Sequence, residues 1–294
     1  MDLSSMPCRI CNAATVDTFT LGSTKLLFCS SCDIVYIALM PSMEDLKTHY
    51  EKEYTIYEKE YTIEAHVPDL AAAEHRRIFR LPEQIKLIAD IIALKPAPAT
   101  VLDIGCDRAF FIDEIRRFGY EVKGVEPSIV ARGYCKRIGI DAVPTLDDIT
   151  EKFDIIVLWH SLEHFSNPTA LMQSIRCRLT DDGLILVRVP AFDSVWRRLL
   201  GRKWVWYQPK SHYFHYSVKS LRKLFELAGF NVIRIKKQRP NDRLTRKSYE
   251  VAERISRHYL NYIPTLRKTL NRFYEDITGV ELYAIGKKQK ANLS

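Results

Sequence analysis

The 294-residue sequence lacks the long apolar runs of a membrane protein. No stretch approaches the roughly 18 consecutive apolar residues that make a transmembrane helix a candidate. Residues 1–10 also lack the basic start and apolar segment of a secretory signal peptide. Hydrophobic residues nevertheless make up 47% of the chain, which is enough to build a sizeable core. We therefore expect a globular protein of the cytoplasm.

Basic charge is scarce outside the C-terminal part of the chain. The formal net charge is +8, but residues 231–294 hold 15 basic and 6 acidic side chains, a net +9 that leaves −1 for the residues before them. Residues 1–40 contain two basic side chains, Arg9 and Lys25, too few for a surface that binds phosphates. The charge distribution therefore does not favour nucleic acid as a partner.

Seven cysteines, an odd number, do not suit a disulfide framework, but four of them form two Cys-x-x-Cys pairs. The pairs are separated by 17 residues, and residues 16–28 between them predict a hairpin too small to bury a core unaided. This spacing is typical of a zinc ribbon with four thiolate ligands, here Cys8, Cys11, Cys29 and Cys32. Because sulfur fills all four positions, we expect the zinc to be structural, contributing on the order of 10 kcal/mol to folding.

A seven-residue segment, residues 50–56, is repeated without change as residues 57–63. Its tyrosines recur at spacings of four, three and four, which places them on one face of a helix. Two interpretations stay open: a duplication that keeps the helical register, or hydroxyls that reach a ligand site. Residues 71–94 predict a further helix, ended by the prolines at 96 and 98.

After residue 99, short apolar strands alternate with amphipathic segments such as residues 110–118. A turn is predicted at Asp181–Gly183, directly before the strand at residues 184–189. The predicted strands are residues 100–105, 121–125, 153–159, 184–189, 231–237 and 280–285. This alternation predicts an α/β fold, a doubly wound, Rossmann-like and mostly parallel sheet that binds its ligand at the carboxyl ends of the strands.

Glycine is missing where a dinucleotide fold needs it. Gly105 has no companion before Gly119, so the Gly-x-Gly-x-x-Gly cradle for a pyrophosphate is absent. Glu126 ends the second strand 21 residues beyond Gly105, close to the spacing of a ribose-binding acid. Together with Asp103 at the end of the first strand, these residues favour a nucleoside ligand without a pyrophosphate. S-adenosylmethionine meets that description.

The order of the motifs resembles that of class I S-adenosylmethionine-dependent methyltransferases. The matching segments are VLDIGCDRAFF, GVEPS, FDIIVLWHSLEHFSNP, DDGLILVRVP and SHYFHYSVKSLRKLFELAGFNV. More narrowly, a four-cysteine ribbon followed by tyrosines and this core resembles the zinc-ribbon methyltransferases that include sugar C-methyltransferases and enzymes of polysaccharide or antibiotic assembly. The resemblance covers residues 8–238 and the last strand. It implies S-adenosylmethionine as cofactor and methyl transfer as the reaction.

The resemblance also implies a set of cofactor contacts. Asp103 and Gly105 would line the methionine and ribose side, and Glu126 would hold the ribose hydroxyls. Leu146 or a neighbour would flank the adenine. The pair Trp159–His160 would border the sulfonium that donates the methyl group.

Two positions depart from the family pattern, because Asp107 and Ala109 stand where the family usually has glycine. Aspartate tolerates a left-handed backbone at a cost of about 1 kcal/mol, and alanine costs little if its φ is negative. We therefore include Asp107 in the cofactor site. The departures keep a second hypothesis open: a catalytically impaired module of zinc ribbon and nucleoside fold that recruits RNA or a protein partner.

Methyl transfer requires an aligned acceptor and a group that removes its proton, because the sulfonium is already activated. Glu163 and His164 follow the predicted strand 153–159, and the resemblance places such a pair at the acceptor site. We expect His164 to act as general base, with Glu163 orienting it or contacting the acceptor. His212 and His215 lie in a segment that resembles the family's active-site cover and are second candidates.

Aromatic residues alternate with four cations between residues 196 and 207. This composition suits a phosphate-bearing or glycan substrate, or a membrane surface. The basic insertion 240–276 could contact anionic lipid, a lipid-linked sugar or RNA, or mediate dimer contacts. We expect methyl transfer to a carbon or an oxygen of a sugar nucleotide or glycan intermediate, with peripheral membrane contact open. The predicted domains are a ribbon (1–45), a helical linker (46–95), the cofactor core with its lid (96–239), and the insertion with the last strand (240–294).

Overall fold

The structure is a computed structural model and describes residues 6–13, 17–41, 86–238 and 281–289. The tyrosine repeat at 50–63, residues 71–85 of the predicted linker helix and the basic insertion 240–276 lie outside the described residues. The chain divides into two compact units. The first comprises residues 1–38, 162–172 and 187–287, and the second comprises residues 39–161, 173–186 and 288–294.

Seven strands form one sheet in the order β10-β11-β8-β7-β4-β5-β6. β4 runs parallel to β5 and β7, and β5 runs parallel to β6. The strands are β4 (Thr100–Ile104), β5 (Glu121–Val125), β6 (Asp141–Val143), β7 (Phe153–Trp159), β8 (Leu179–Pro190), β10 (Phe230–Gln238) and β11 (Glu281–Lys288). The predicted α/β Rossmann-like fold is confirmed.

Helices connect these strands, as the amphipathic segments predicted. They are α1 (residues 86–94), α2 (Phe110–Arg116), α3 (Ile129–Arg137), α4 (Pro168–Arg178), α5 (Val195–Leu200) and α6 (Val218–Leu227). α2 ends two residues before the prediction, because the turn that follows closes on Gly119 with φ +88°. No helix of the described residues is long and apolar enough to cross a membrane.

The core of the second unit is built from the apolar runs that identified its strands. Val101, Leu102 and Ile104 on β4 are buried, and so are the apolar residues of β7 from Ile155 to Leu158. Side chains that alternate on a strand point to opposite faces, so burial at consecutive positions means that both faces are covered. This arrangement leaves the strand ends as the places where polar side chains can be reached.

The first unit contains a four-stranded sheet in the order β1-β2-β3-β9. Its strands are β1 (Asp17–Leu21), β2 (Thr24–Cys29), β3 (Ile34–Ile37) and β9 (Phe214–His215). β1 and β2 form the predicted hairpin, and β9 extends the sheet by pairing antiparallel with β3. The ribbon therefore anchors the segment around His215, a contact that sequence spacing did not indicate.

β8 differs from its prediction, because the strand begins at Leu179 and Asp181–Gly183 lies within it rather than in a separate turn. Two contacts hold the early residues in the sheet. The Thr180 hydroxyl donates to Asp154 Oδ1 at 3.2 Å, and Lys288 Nζ donates to the Leu179 carbonyl at 2.9 Å. These partners are remote in sequence, so local turn chemistry did not reveal them.

Candidate active site

In the second unit, the chain turns sharply at Gly105 directly after β4. Gly105 has φ +78°, and a Cβ at this position would lie 2.7 Å from the Cβ of Ser161. Its N–H donates to the Val125 carbonyl at 2.8 Å, which holds the turn against the end of β5. Only glycine fits both the backbone conformation and the space. The predicted close turn is therefore present.

Two buried carboxyl groups lie at the ends of neighbouring strands. Asp103 is 2% exposed, and its Oδ1 has no hydrogen-bond partner within the described ranges. Burial raises the pKa of Asp103 to about 8, and the charges of Glu126 and Asp107 add to the effect. Glu126 is also buried, and its carboxylate accepts the Asp107 and Ser128 N–H groups, each at 2.9 Å. The pair forms a fixed acceptor surface suited to a cation or to hydroxyl donors.

The turn after β4 contains two left-handed residues without glycine. Asp107 has φ +50°, the conformation that we expected aspartate to tolerate there. Ala109 has φ +57° and is fully buried. Its φ is not negative, so the expectation that alanine costs little at this position does not apply. A left-handed alanine costs roughly 1–2 kcal/mol. His160, directly after β7, is left-handed as well at φ +51°. Strain of this kind concentrates at functional sites.

The other predicted cofactor residues lie elsewhere in the second unit. The Trp159 ring packs against Phe111 at a centroid distance of 5.5 Å. Leu146 opens a single helical turn after β6, which a capping box between Thr145 and Asp148 closes. A hydrogen bond joins Asp107 to Glu126, and the charges of both act on Asp103. Leu146 is located only by its position after β6.

In the first unit, Glu163, His164 and His212 come together. One potential ligand atom from each lies within 4.8 Å of the others. Glu163 is 1% exposed and His212 is buried, while His164 is half-buried. The two imidazole rings meet edge to face at a centroid distance of 4.9 Å. Three of the four predicted catalytic residues therefore form one cluster.

A main-chain carbonyl and an indole ring hold the His212 ring. Its Nδ1 lies 3.0 Å from the Trp206 carbonyl oxygen, and the Trp206 ring stacks on it at 5.9 Å. Because a carbonyl can only accept, Nδ1 is the donor in this contact, and in the neutral form of the ring Nε2 presents its lone pair. The Tyr213 N–H donates to the Glu163 carbonyl at 2.8 Å and ties this segment to the Glu163–His164 pair.

His215, the fourth predicted catalytic residue, lies in an aromatic surrounding. Its ring contacts Tyr207 and Trp204 at centroid distances of 5.0 and 6.0 Å. Burial lowers the pKa of His215 to about 3, and the charges of His212 and Arg197 lower it further. His215 is therefore neutral at physiological pH and a weak proton acceptor.

Two interactions of the first unit have no signal in the sequence. The Arg197 guanidinium lies 3.8 Å over the Phe192 ring, a cation–π contact that fixes the start of α5. Arg188 and Glu281 form a buried ion pair between β8 and β11, with Nε donating at 2.6 Å and Nη2 contacting the same oxygen. The partners are 93 residues apart, and no local pattern links them.

The four cysteines of the ribbon converge as predicted. The Sγ atoms of Cys8 and Cys32 lie 3.6 Å apart, as do those of Cys11 and Cys29, and all four Sγ atoms lie within 4.8 Å of one another. Tetrahedral zinc with Zn–S bonds of about 2.3 Å requires sulfurs about 3.8 Å apart. A hydrogen bond from Cys32 lowers the pKa of Cys8 to about 5, which favours the thiolate. The geometry and chemistry of this set fit zinc.

The family of the chain follows from comparison with known proteins. A family model described as a methyltransferase domain matches residues 73–235, more than half of the chain. The chain belongs to this methyltransferase family, and its class is that of S-adenosylmethionine-dependent methyltransferases. It is similar to the ubiquinone biosynthesis O-methyltransferase of Actinobacillus pleuropneumoniae serotype 5b, with 31% identity over 100 residues, 29% of this chain and 43% of the relative. The chain thus matches less than half the length of this curated relative.

Solved structures agree on the fold. The 1,6-didemethyltoxoflavin-N1-methyltransferase of Burkholderia thailandensis, solved with S-adenosylhomocysteine, superposes with a TM-score of 0.53 at 12% identity, covering 94% of this chain and all of its own. The magnesium protoporphyrin IX methyltransferase of Synechocystis PCC 6803, also solved with S-adenosylhomocysteine, gives 0.51 at 13% identity, covering 80% of this chain and 95% of its own. At these identities the likeness shows the fold.

Proposed function

We propose that the protein transfers the methyl group of S-adenosylmethionine to a hydroxyl oxygen of a sugar nucleotide or glycan intermediate. The observation that carries the proposal is the pair of buried carboxyl groups, Asp103 and Glu126, at the ends of adjacent strands beside the Gly105 turn. S-adenosylmethionine presents a sulfonium, an ammonium group and a ribose diol. Each of these is a cation or a donor that such a surface binds.

The chemistry of the donor set fits this cofactor. The Oδ1 atom of Asp103 lacks a partner in the described chain, and a bound cation would supply one. Glu126 is held by two N–H groups, so its remaining lone pairs have fixed directions toward a ribose diol. When bound, the cofactor supplies an activated methyl group. The protein's own task is to orient the acceptor and to remove its proton.

The proposed cofactor site makes a prediction about protons. Asp103 has a pKa of about 8 without ligand, so its carboxyl is largely protonated at pH 7. A cation beside it lowers this pKa, and binding therefore releases a proton. Calorimetric titration in buffers of different ionisation enthalpy measures the number released. Asp103→Asn is the control that removes the effect, and equal heats in all buffers for the wild type would contradict the assignment.

Proton removal from the acceptor is assigned to the cluster of Glu163, His164 and His212. His215 is assigned a positioning role instead, because a group with a pKa of about 3 is a poor base at neutral pH. The aromatic faces of Trp206 and Tyr207 suit a ring-shaped acceptor. The exposed Arg198 and Arg202 suit its phosphates.

The curated relative is named as an O-methyltransferase, which supports oxygen rather than carbon as the methylated atom. It also favours a second acceptor class, a hydroxyl of a ubiquinone precursor, since this relative is named for ubiquinone biosynthesis. Incubation with methyl-labelled cofactor and matched panels of sugar nucleotides and catechols separates the two. Label in a sugar ether supports the first class and label in an aryl ether the second. Transfer to neither panel by a cofactor-binding protein would contradict both.

Zinc is proposed as the structural metal of the ribbon, held by Cys8, Cys11, Cys29 and Cys32. Because β3 of the ribbon pairs with β9, the metal would fix the segment that contains His212 and His215. Cys11→Ser should lower the zinc content and loosen this segment, which hydrogen exchange at residues 212–216 reports. Unchanged exchange in a zinc-free variant would show that the ribbon does not support this segment.

Peripheral contact with an anionic membrane is proposed through residues 195–205. Leu199 is 72% and Val205 67% exposed, and the exposed Arg198, Arg202 and Lys203 add positive charge without an acidic neighbour in this segment. Co-sedimentation with phosphatidylglycerol vesicles, but not with phosphatidylcholine vesicles, is the expected result. The variant Leu199→Asp should abolish it. Equal sedimentation with both lipids would contradict an electrostatic contact.

A further inference from the structure

The cluster of Glu163, His164 and His212 has the composition of a metal site. Two imidazoles and one carboxylate form a ligand set that divalent transition metals bind, chemically distinct from the four sulfurs of the ribbon. Their ligand atoms lie within 4.8 Å of one another. Bonds of about 2.1 Å to a tetrahedral ion would bring these atoms to about 3.4 Å, so small side-chain rotations complete the geometry.

His212 has the support that a metal-bound histidine requires. Such a histidine donates its second ring N–H to a carbonyl or carboxylate, which fixes the tautomer and directs the other nitrogen to the metal. His212 does this through Nδ1 and the Trp206 carbonyl at 3.0 Å, and the stacked Trp206 ring restrains its rotation. Nε2 is therefore oriented as a ligand.

His164 gives an independent indication of a ligand. Its Nδ1 is inaccessible and has no hydrogen-bond partner in the ranges that the structure describes. A buried nitrogen in this state costs free energy that a bound ion would offset. The neighbouring Glu163 carboxylate is 1% exposed, and its negative charge makes it a suitable ligand for a cation.

We propose that Glu163, His164 and His212 bind a second divalent metal ion, of the zinc or manganese type, whose open position takes the acceptor hydroxyl. The inference rests on the proposed function and extends it. The ion lowers the pKa of the bound hydroxyl, so the hydroxyl proton passes to water. The resulting oxyanion forms the new O–C bond, the C–S bond of the cofactor breaks, and its electron pair stays on sulfur as S-adenosylhomocysteine. The metal keeps its oxidation state, and His164 acts as a ligand in place of the general base that the sequence predicted.

Metal counting on the full chain tests the site without relying on turnover. The protein is stripped, reloaded with Co²⁺ and analysed for metal per chain and for its absorption spectrum. The wild type should hold two ions, one with the near-ultraviolet charge-transfer band of thiolate ligands and one with visible bands alone. His164→Gln and Glu163→Gln should lose the second ion and its bands and keep the first. His215→Gln, a neighbouring buried histidine outside the cluster, should keep both.

The outcomes separate the inference from the proposed function. Calorimetry with S-adenosylmethionine on the same samples reports the cofactor site. One ion per wild-type chain, with thiolate bands alone and normal cofactor binding, would overturn the metal site and leave the proposed function standing. Two ions per chain without cofactor binding would overturn the proposed function and leave the metal site standing. An unchanged metal content in both His164→Gln and Glu163→Gln would also overturn the site, and circular dichroism confirms that each variant is folded.

Discussion

Replacing Gly105 by alanine tests why the turn directly after β4 requires glycine. At φ +78° an alanine costs roughly 1–2 kcal/mol in backbone strain. Its Cβ would also lie 2.7 Å from the Ser161 Cβ, and overpacking of this kind costs roughly 1–3 kcal/mol. The lower entropy of an unfolded chain with alanine returns roughly 0.4–1 kcal/mol. We expect a net loss of roughly 2–4 kcal/mol in the free energy of unfolding.

Urea unfolding followed by circular dichroism measures this loss, and a thermal scan should show a melting temperature lower by roughly 5–15 °C. Gly133→Ala is the matched control. Gly133 is exposed within α3, and nothing lies within 4 Å of an added Cβ, so alanine should stabilise the helix by roughly 1 kcal/mol. The double variant Gly105→Ala/Ser161→Gly removes the steric contact and leaves the backbone strain. The double variant should lose less stability relative to Ser161→Gly than Gly105→Ala loses relative to the wild type, because the steric contact is absent.

Two results would refute this reasoning. The first is a Gly105→Ala variant as stable as the wild type, which would show that neither the strain nor the contact exists in solution. The second is an equal loss of stability from Gly105→Ala in the presence and in the absence of the Ser161 side chain. The contact with Ser161 would then not be the cause of the loss, and the turn would require glycine for its backbone conformation alone.

Three further predictions concern buried charges and the ribbon. The pKa of Asp103 is about 8 in the folded protein, above its value of about 4 in the unfolded chain. The contribution of this group to the free energy of unfolding is therefore complete below about pH 4 and is lost as the pH rises through about 8. Without cofactor, the Asp103→Asn variant should gain stability relative to the wild type as the pH rises through this window. Urea unfolding of both proteins from pH 5 to 8 measures the gain, and a stability difference that does not change with pH would contradict the prediction. Glu281→Ala leaves Arg188 buried without its partner and should cost roughly 3–5 kcal/mol in urea unfolding; a loss below about 1 kcal/mol would refute the buried pair. Cys11→Ser should abolish stoichiometric zinc in metal analysis, whereas Cys177→Ser, at an exposed cysteine outside the ribbon, should leave it unchanged.

The ribbon with the four cysteines acquires a specific role from the strand pairing. Val35 and Tyr36 on β3 pair with His215 and Phe214 on β9, and the Tyr36 and Phe214 rings stack at 5.6 Å. The ribbon is thereby part of the framework that positions the histidine segment.

Sequence patterns predicted those parts of the fold that depend on local composition. β5 and β7 have the predicted bounds, and β4 ends one residue before the prediction, because a buried parallel strand is a continuous apolar run between polar ends. The cysteine cluster was predicted because its ligand spacing is short and regular. The start of β8 was missed, since an Asp-Asp-Gly segment has the composition of a turn.

The finer geometry of the site could not be predicted, because it depends on contacts between distant residues. The left-handed φ of Ala109 follows from the path between β4 and α2, and alanine gives no signal of it. The bond from His212 to the Trp206 carbonyl uses a main-chain group that every residue has. The burial that sets the low pKa of His215 arises from tertiary packing. Residue types therefore identified candidates, and the fold decided their roles.

Calorimetric titration with S-adenosylmethionine and S-adenosylhomocysteine tests the central claim most directly. The wild type should bind both ligands with dissociation constants on the order of micromolar. Glu126→Ala should bind at least about tenfold more weakly, a loss of about 1.4 kcal/mol, because the acceptor of the ribose diol is missing. Absence of binding by a folded, zinc-loaded wild type would contradict the account and would favour the alternative of an impaired module that recruits partners without turnover.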